Sequence, residues 1–132
     1  MFASTSTPGA SSSAQYPALE GKRILVVVDE AVTCVDYLFQ LREIGARPEA
    51  FVPTNAAALT FLETHAVDVA ILDYRLPDGT SEPLMTWLLE HPVPFIVISG
   101  WTEKLRQAPD LRILEKPVPA SDLLQALSDA VE

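Results

Sequence analysis

An open, doubly wound sheet of parallel strands in the order 2-1-3-4-5, an α/β fold, is what this sequence predicts, and three observations predict it. Short apolar runs, Ile24 to Val28, Val67 to Leu72 with Asp68 its one polar residue, and Phe95 to Ile98, have the character of strands buried on both faces. Two weaker runs, Ala50 to Val52 and Arg112 to Leu114, are bounded by proline or polar residues. Segments with helical spacing follow the runs, so strand and helix alternate five times. Right-handed crossovers then place helices on both faces of the sheet. At 132 residues the chain is too short for a closed eight-unit barrel.

Each helix has its own signal. Val32, Val35, Leu38, Phe39 and Leu41 form a stripe that Gly45 is placed to stop. Leu59, Phe61 and Leu62 follow Asn55, an expected N-cap, and Leu84, Trp87 and Leu88 follow Ser81 with Glu82 behind it. Leu123, Leu124, Leu127 and Val131 follow Ser121, a further expected N-cap. Only sixteen residues separate Ser99 from Lys116, and the fifth strand takes part of them. Pro109 limits a helix there, so the fourth helix is expected to be short, distorted or absent, with Thr102 to Ala108 its only candidate.

The first twenty residues differ in kind. Met1 to Glu20 holds seven Ser or Thr, two prolines and one charge, without apolar periodicity. Such a segment buries too little surface to offset its ordering entropy and is expected to be a disordered tail, leaving 21–132 for the domain. It lacks the basic start and apolar centre of a secretory signal. No apolar run approaches the ~18 residues of a membrane-spanning helix. Nine Lys and Arg against eighteen Asp and Glu give a net charge of −9, which disfavours nucleic acid and anionic membranes as partners. The single cysteine, Cys34, excludes an internal disulfide and fits a reducing, cytoplasmic setting.

In an open α/β sheet the site lies beyond the carboxyl ends of the strands. The first strand ends in Asp29 and Glu30, the third in Asp73, the fourth in Ser99 and the fifth in Glu115, Lys116 and Pro117. Carboxylates, a hydroxyl and an ammonium therefore converge on one rim. Neighbouring carboxylates stay ionised together only if a cation holds them, and hard oxygen donors suit Mg²⁺. A carboxylate can also be a nucleophile toward phosphorus, while a lysine and a hydroxyl hold phosphoryl oxygens. The set fits phosphoryl transfer to Asp73.

ILVVVDE at 24–30, ILDYRLPDG at 71–79, ISG at 98–100 and EKP at 115–117 resemble the receiver domain of bacterial response regulators, a flavodoxin-like fold, over essentially all of 21–132. The resemblance implies that Asp73 accepts a phosphoryl group from a histidine kinase or phosphotransfer protein. It implies Mg²⁺ held by Asp29, Asp73 and the backbone carbonyl of Arg75. Lys116 would contact the phosphoryl group, Ser99 would act as the switch hydroxyl, and a cis bond would precede Pro117. Two positions depart from the family pattern. In one register Val28 stands where the first of two acids belongs, which would weaken Mg²⁺; shifted by one, the pair is Asp29 and Glu30. Ile113 replaces an aromatic switch residue. PFIVISGW at 94–101 also resembles the PFxFATGY-like segment of an atypical receiver subgroup with an altered fourth helix.

The expected function is a stand-alone receiver in a two-component phosphorelay, a switch rather than an enzyme, signalling to a downstream target through protein contacts. Val28 and Ile113 favour the alternative of a pseudo-receiver that binds partners independently of phosphorylation. A nucleotide- or flavin-binding protein of this topology would need a glycine-rich loop where Asp29, Glu30 and Ala31 stand. Simpler roles are expected elsewhere: Asp78-Gly79 as a turn, Cys34 and Trp87 as packed side chains, and His65 and His91 as partners of helix C-termini. Trp101, directly after the switch hydroxyl, is a candidate reporter or docking anchor.

Overall fold

A computed structural model describes residues 16–100 and 112–132. A 3-10 turn at Pro17–Leu19 leads into β1 (Arg23–Val27), α1 (Ala31–Glu43), β2 (Arg47–Val52), α2 (Asn55–Thr64) and β3 (Val69–Asp73). A short hairpin of β4 (Arg75–Leu76) and β5 (Gly79–Thr80) follows, then α3 (Glu82–Glu90), β6 (Phe95–Ser99), β7 (Arg112–Glu115) and α4 (Ala120–Val131). The five long strands form one sheet in the order β2-β1-β3-β6-β7, with every pair parallel. With the hairpin set aside, this is the predicted 2-1-3-4-5 order.

Alternate residues of each strand enter opposite cores, as a two-sided sheet requires. Ile24, Val26, Ile71, Ile96 and Ile98 pack with Tyr37 and Leu41 of α1 and with Leu123, Leu124 and Leu127 of α4. Leu25, Val27, Leu72 and Val97 pack with Ala58 and Leu62 of α2 and with Leu84, Met85 and Leu88 of α3. Each fully buried Leu or Ile contributes about 1.5–3 kcal/mol relative to exposure. At the pole away from the strand-end acids, Arg23 donates from Nε and Nη2 to the two carboxylate oxygens of Asp68, each at 3.1 Å. The Arg23 amide adds a third bond to the same carboxylate at 2.7 Å, and these bonds hold Asp68 below the usual carboxylate range.

The structure corrects the sequence reading in four places. The expected tail does not extend to residue 20, because Leu19 is fully buried among β1, α1 and α4 side chains. Residues 1–15 lie outside the described residues, as do Trp101, Thr102 to Ala108 and Pro109, and with them the expectation for a fourth helix.

The apolar stripe expected on α1 is split. Tyr37 and Leu41 are buried and Cys34 packs against the same core, whereas Val32, Val35 and Phe39 face outward with 83%, 65% and 64% exposure. Residues 34, 37, 38 and 41 satisfy helical spacing as well as the outward set does, and apolarity alone did not separate the two.

Two caps also differ from expectation. Thr54, not Asn55, caps α2, its hydroxyl accepting from the Ala57 amide at 3.0 Å. Ser121 is already inside α4, which begins at Ala120 after Pro119. Gly45 does stop α1, with a φ of 83° that a side chain would resist.

Candidate functional site

β3 delivers Asp73 to the sheet's carboxyl edge, where it is 3% exposed. Its register neighbour on β6 is Ile98, so Ser99 stands one residue further along the adjacent strand and is equally buried. Ser99 pairs in turn with Glu115 of β7, and the Lys116 amide donates to the Ser99 carbonyl at 3.0 Å. This ladder aims Lys116 back across β6, and its Nζ lies 3.3 Å from Asp73 Oδ1. The Lys116–Pro117 peptide is cis.

Asp73 is under opposing influences. Burial is the largest and pushes its pKa up; the Lys116 charge and hydrogen bond pull it down; Asp29 and Glu30 push it up again. Both of those acids are exposed, and both act on Asp73 from the β1–α1 junction. Val28 is 2% exposed and packs in the core beneath them, so its side chain is turned from the rim on which the acids stand. Glu30 accepts from the Thr33 hydroxyl at 3.2 Å. Burial, with Asp73 and Asp29 adding to it, raises the Cys34 thiol, whose sulfur lies 3.8 Å from the Val28 carbonyl. It is a packed thiol, as the sequence reading expected.

Arg75 follows at the start of the hairpin, with its side chain exposed and its residue paired with Thr80. Ile113 is half-buried against the α2/α3 core, opposite Val97. Beside the site a cavity of about 610 Å³ opens between α1 and the segment after β7, lined by Glu30, Thr33, Asp36, Tyr37, Lys116 and Pro117 among others. Burial, together with the negative charges of Asp73, Asp36 and Glu30, pushes the Tyr37 phenol up to about 12.

The residues fit a hard divalent cation. Asp73 Oδ1 is buried, and its one charged neighbour is the Lys116 ammonium at 3.3 Å, outside good hydrogen-bond geometry, so an oxygen lone pair stays open to a cation. Asp29 and Asp73 supply carboxylate oxygen, and Mg²⁺ is commonly held by one or two carboxylates with water completing its shell. Among the described residues no group of three or more His, Cys, Asp or Glu side chains is placed to hold a metal.

The two histidines belong to the other pole. His65 stacks on Phe61 at 4.2 Å and His91 on Trp87 at 3.6 Å, each with Nδ1 on the carbonyl four residues back at its helix end. They line a cavity of about 810 Å³, which includes none of the strand-end groups. One feature escaped the sequence reading altogether: Asp78, taken as a simple turn residue, binds the first turn of α2. The separation of 23 residues between Asp78 and Asn55 leaves no local signal for it.

The fold is that of response regulator receiver domains, the class to which solved structures similar to this chain belong. No protein-family model matches the chain. Among solved structures it is similar to SdrG from Sphingomonas melonis, with 29% identity and a TM-score of 0.72 over 87% of this chain and 98% of that one. A response regulator receiver protein from Sinorhizobium medicae gives 28% identity and a TM-score of 0.73 over 86% and 96%. PhyR from Brucella abortus shares the fold, with a TM-score of 0.79 at 20% identity over 92% of this chain and 52% of that one. A curated relative is the transcriptional regulatory protein PdtaR of Mycobacterium tuberculosis, 28% identical over 120 residues. That match takes in 83% of this chain and spans 57% of the relative's length. Among the described residues no helix is long and apolar enough to cross a membrane.

Proposed function

We propose that the chain is a phosphoacceptor switch in which Asp73 receives a phosphoryl group from a phosphohistidine on a kinase or phosphotransfer protein. The observation that carries this reading is the buried Asp73 carboxylate with Lys116 Nζ at 3.3 Å, beside the buried Ser99 and below two exposed acids. An Asp73 oxygen attacks phosphorus, the P–N bond to the donor imidazole breaks, and the imidazole leaves with the nitrogen electron pair. Asp73 must be ionised to attack, and Lys116 is the group that opposes the protonation burial favours. Lys116 and the Ser99 hydroxyl then hold phosphoryl oxygens. Asp29, Asp73 and the Arg75 carbonyl would hold Mg²⁺, which when bound would supply charge neutralisation for those oxygens.

Output passes through protein contacts. A phosphoryl group shifts the switch only if the two conformations present different contacts to the target, and Ser99 is the buried group placed to report it. Val28, turned into the core, and Ile113, in place of an aromatic switch, favour a second reading as a phosphorylation-independent binding module. Intact mass after incubation with a small phosphodonor separates the two. Gain of one phosphoryl group that needs Mg²⁺ and is absent in Asp73→Asn supports the switch. Folded protein that gains nothing at any Mg²⁺ concentration moves the assignment to the binding module.

A further inference from the structure

The hairpin that carries Arg75 has only two residues in each strand, Arg75 with Thr80 and Leu76 with Gly79. A two-stranded hairpin of this size does not hold its own shape in water. Its base is anchored, since the Tyr74 amide donates to the Ile98 carbonyl and the Ser81 amide to the Tyr74 carbonyl, each at 2.8 Å. Its tip is anchored by something else. Asp78 Oδ1 accepts from the Asn55 amide at 3.0 Å and from the Asn55 side chain at 3.3 Å, while Oδ2 accepts from the Ala56 amide at 3.1 Å. The Asn55 side chain also donates to the Thr80 carbonyl at 2.9 Å. With Thr54 taking the Ala57 amide, the otherwise unpaired donors at the start of α2 are satisfied, two of them by a carboxylate from the hairpin.

We propose that Asp78 and Asn55 form a clamp that positions the Arg75 carbonyl for the divalent cation, which makes them positioning residues for metal binding. The inference rests on the reading of Asp29, Asp73 and Arg75 as the metal's ligands. A carbonyl whose direction is fixed before binding contributes more to cation affinity than one that must be ordered on binding, and the clamp residues would act through the hairpin rather than as ligands. Asn55 is 7% exposed, so its amide is locked between helix and hairpin.

Calorimetric titration of the full chain with MgCl₂ tests this, using wild type, Asp78→Ala, Asp78→Asn, Asn55→Ala and Asp29→Asn, each checked for folding by circular dichroism. Asp78→Ala is expected to bind Mg²⁺ about tenfold more weakly, the lower end of losses seen when a group supporting a metal ligand is removed. Asp78→Asn, which keeps one acceptor oxygen, and Asn55→Ala, which leaves the main-chain bonds to Asp78, lose less and serve if Asp78→Ala fails to fold. Clamp variants that melt lower but bind Mg²⁺ as wild type does would overturn the proposal and leave the clamp a stability device. Wild type that does not bind Mg²⁺, or Asp29→Asn that binds it equally well, would overturn the metal reading itself, a result read on proteins whose clamp is intact.

Discussion

Lys116, just past the edge strand β7, sets its ammonium 3.3 Å from Asp73 Oδ1 although β6 lies between the two strands. The contact spans the sheet because Lys116 is tied by its amide to Ser99, and Ser99 sits one residue beyond the neighbour of Asp73. Charge, not packing, joins these residues. Removing Lys116 should therefore act on chemistry before stability. Lys116→Ala is expected to slow phosphoryl uptake from a small phosphodonor about 100-fold, the scale for losing one preorganised charge-stabilising donor. Mass-spectrometric time courses at saturating Mg²⁺ measure it, and a change below threefold would remove Lys116 from the proposed role.

Asp73 costs the fold stability at neutral pH. Its folded-state pKa is raised, so it stabilises the native state below the ordinary carboxylate range and loses that contribution as pH rises through the folded value. Asp73→Asn should melt higher than wild type at pH 7, by about 1 kcal/mol or several degrees. The gap should close as pH falls through the raised folded-state value to the ordinary carboxylate range, below which folded and unfolded chains both carry the proton. Calorimetric melts across that range check the sign, and a variant that melts lower at pH 7 contradicts it.

The acids at the end of β1 are separable by substitution. Val28→Asp puts a carboxylate where a 2%-exposed side chain meets the core, and it should cost about 3 kcal/mol without tightening Mg²⁺ binding. Glu30→Gln leaves the core untouched and should weaken Mg²⁺ severalfold. Urea melts and Mg²⁺ titration of the two variants decide which residue pairs with Asp29. Tighter Mg²⁺ binding by Val28→Asp would restore the register that the sequence pattern favours.

Leu19 should behave as a core residue. Leu19→Ala is expected to destabilise by about 3 kcal/mol, the usual cost of emptying a buried leucine site. A chain beginning at Gly21 should lose at least as much, while one beginning at Tyr16 keeps it. Urea unfolding of the three reads the difference directly.

Strand order and the rim of Asp29, Asp73, Ser99 and Lys116 were legible because both depend on patterns local in sequence. Continuous β-branched runs mark doubly buried strands, and whatever ends such a run must lie at the sheet's edge. The misread elements depend on tertiary contact. Leu19 is a lone apolar residue in a Ser/Thr-rich segment, and nothing in its neighbours shows that α1 and α4 leave a place for it. On α1, two apolar sets compete for one core face, and the winning set includes the polar-tipped Tyr37. Asp78 was read correctly as lying in a turn, but its partners sit on another helix.

The docking of the Pro17–Leu19 turn against α4 has a consequence for how the domain can be joined to other things. The chain enters β1 and leaves the fold along one shared flank, on the α1/α4 side of the sheet. Anything attached before Tyr16 and anything attached after Val131 thus departs from neighbouring points. A tag, fluorophore or fused protein at either position samples the same surroundings. A short peptide linking the two points, with a new opening cut in an exposed loop, should yield a circularly permuted receiver with its sheet order intact.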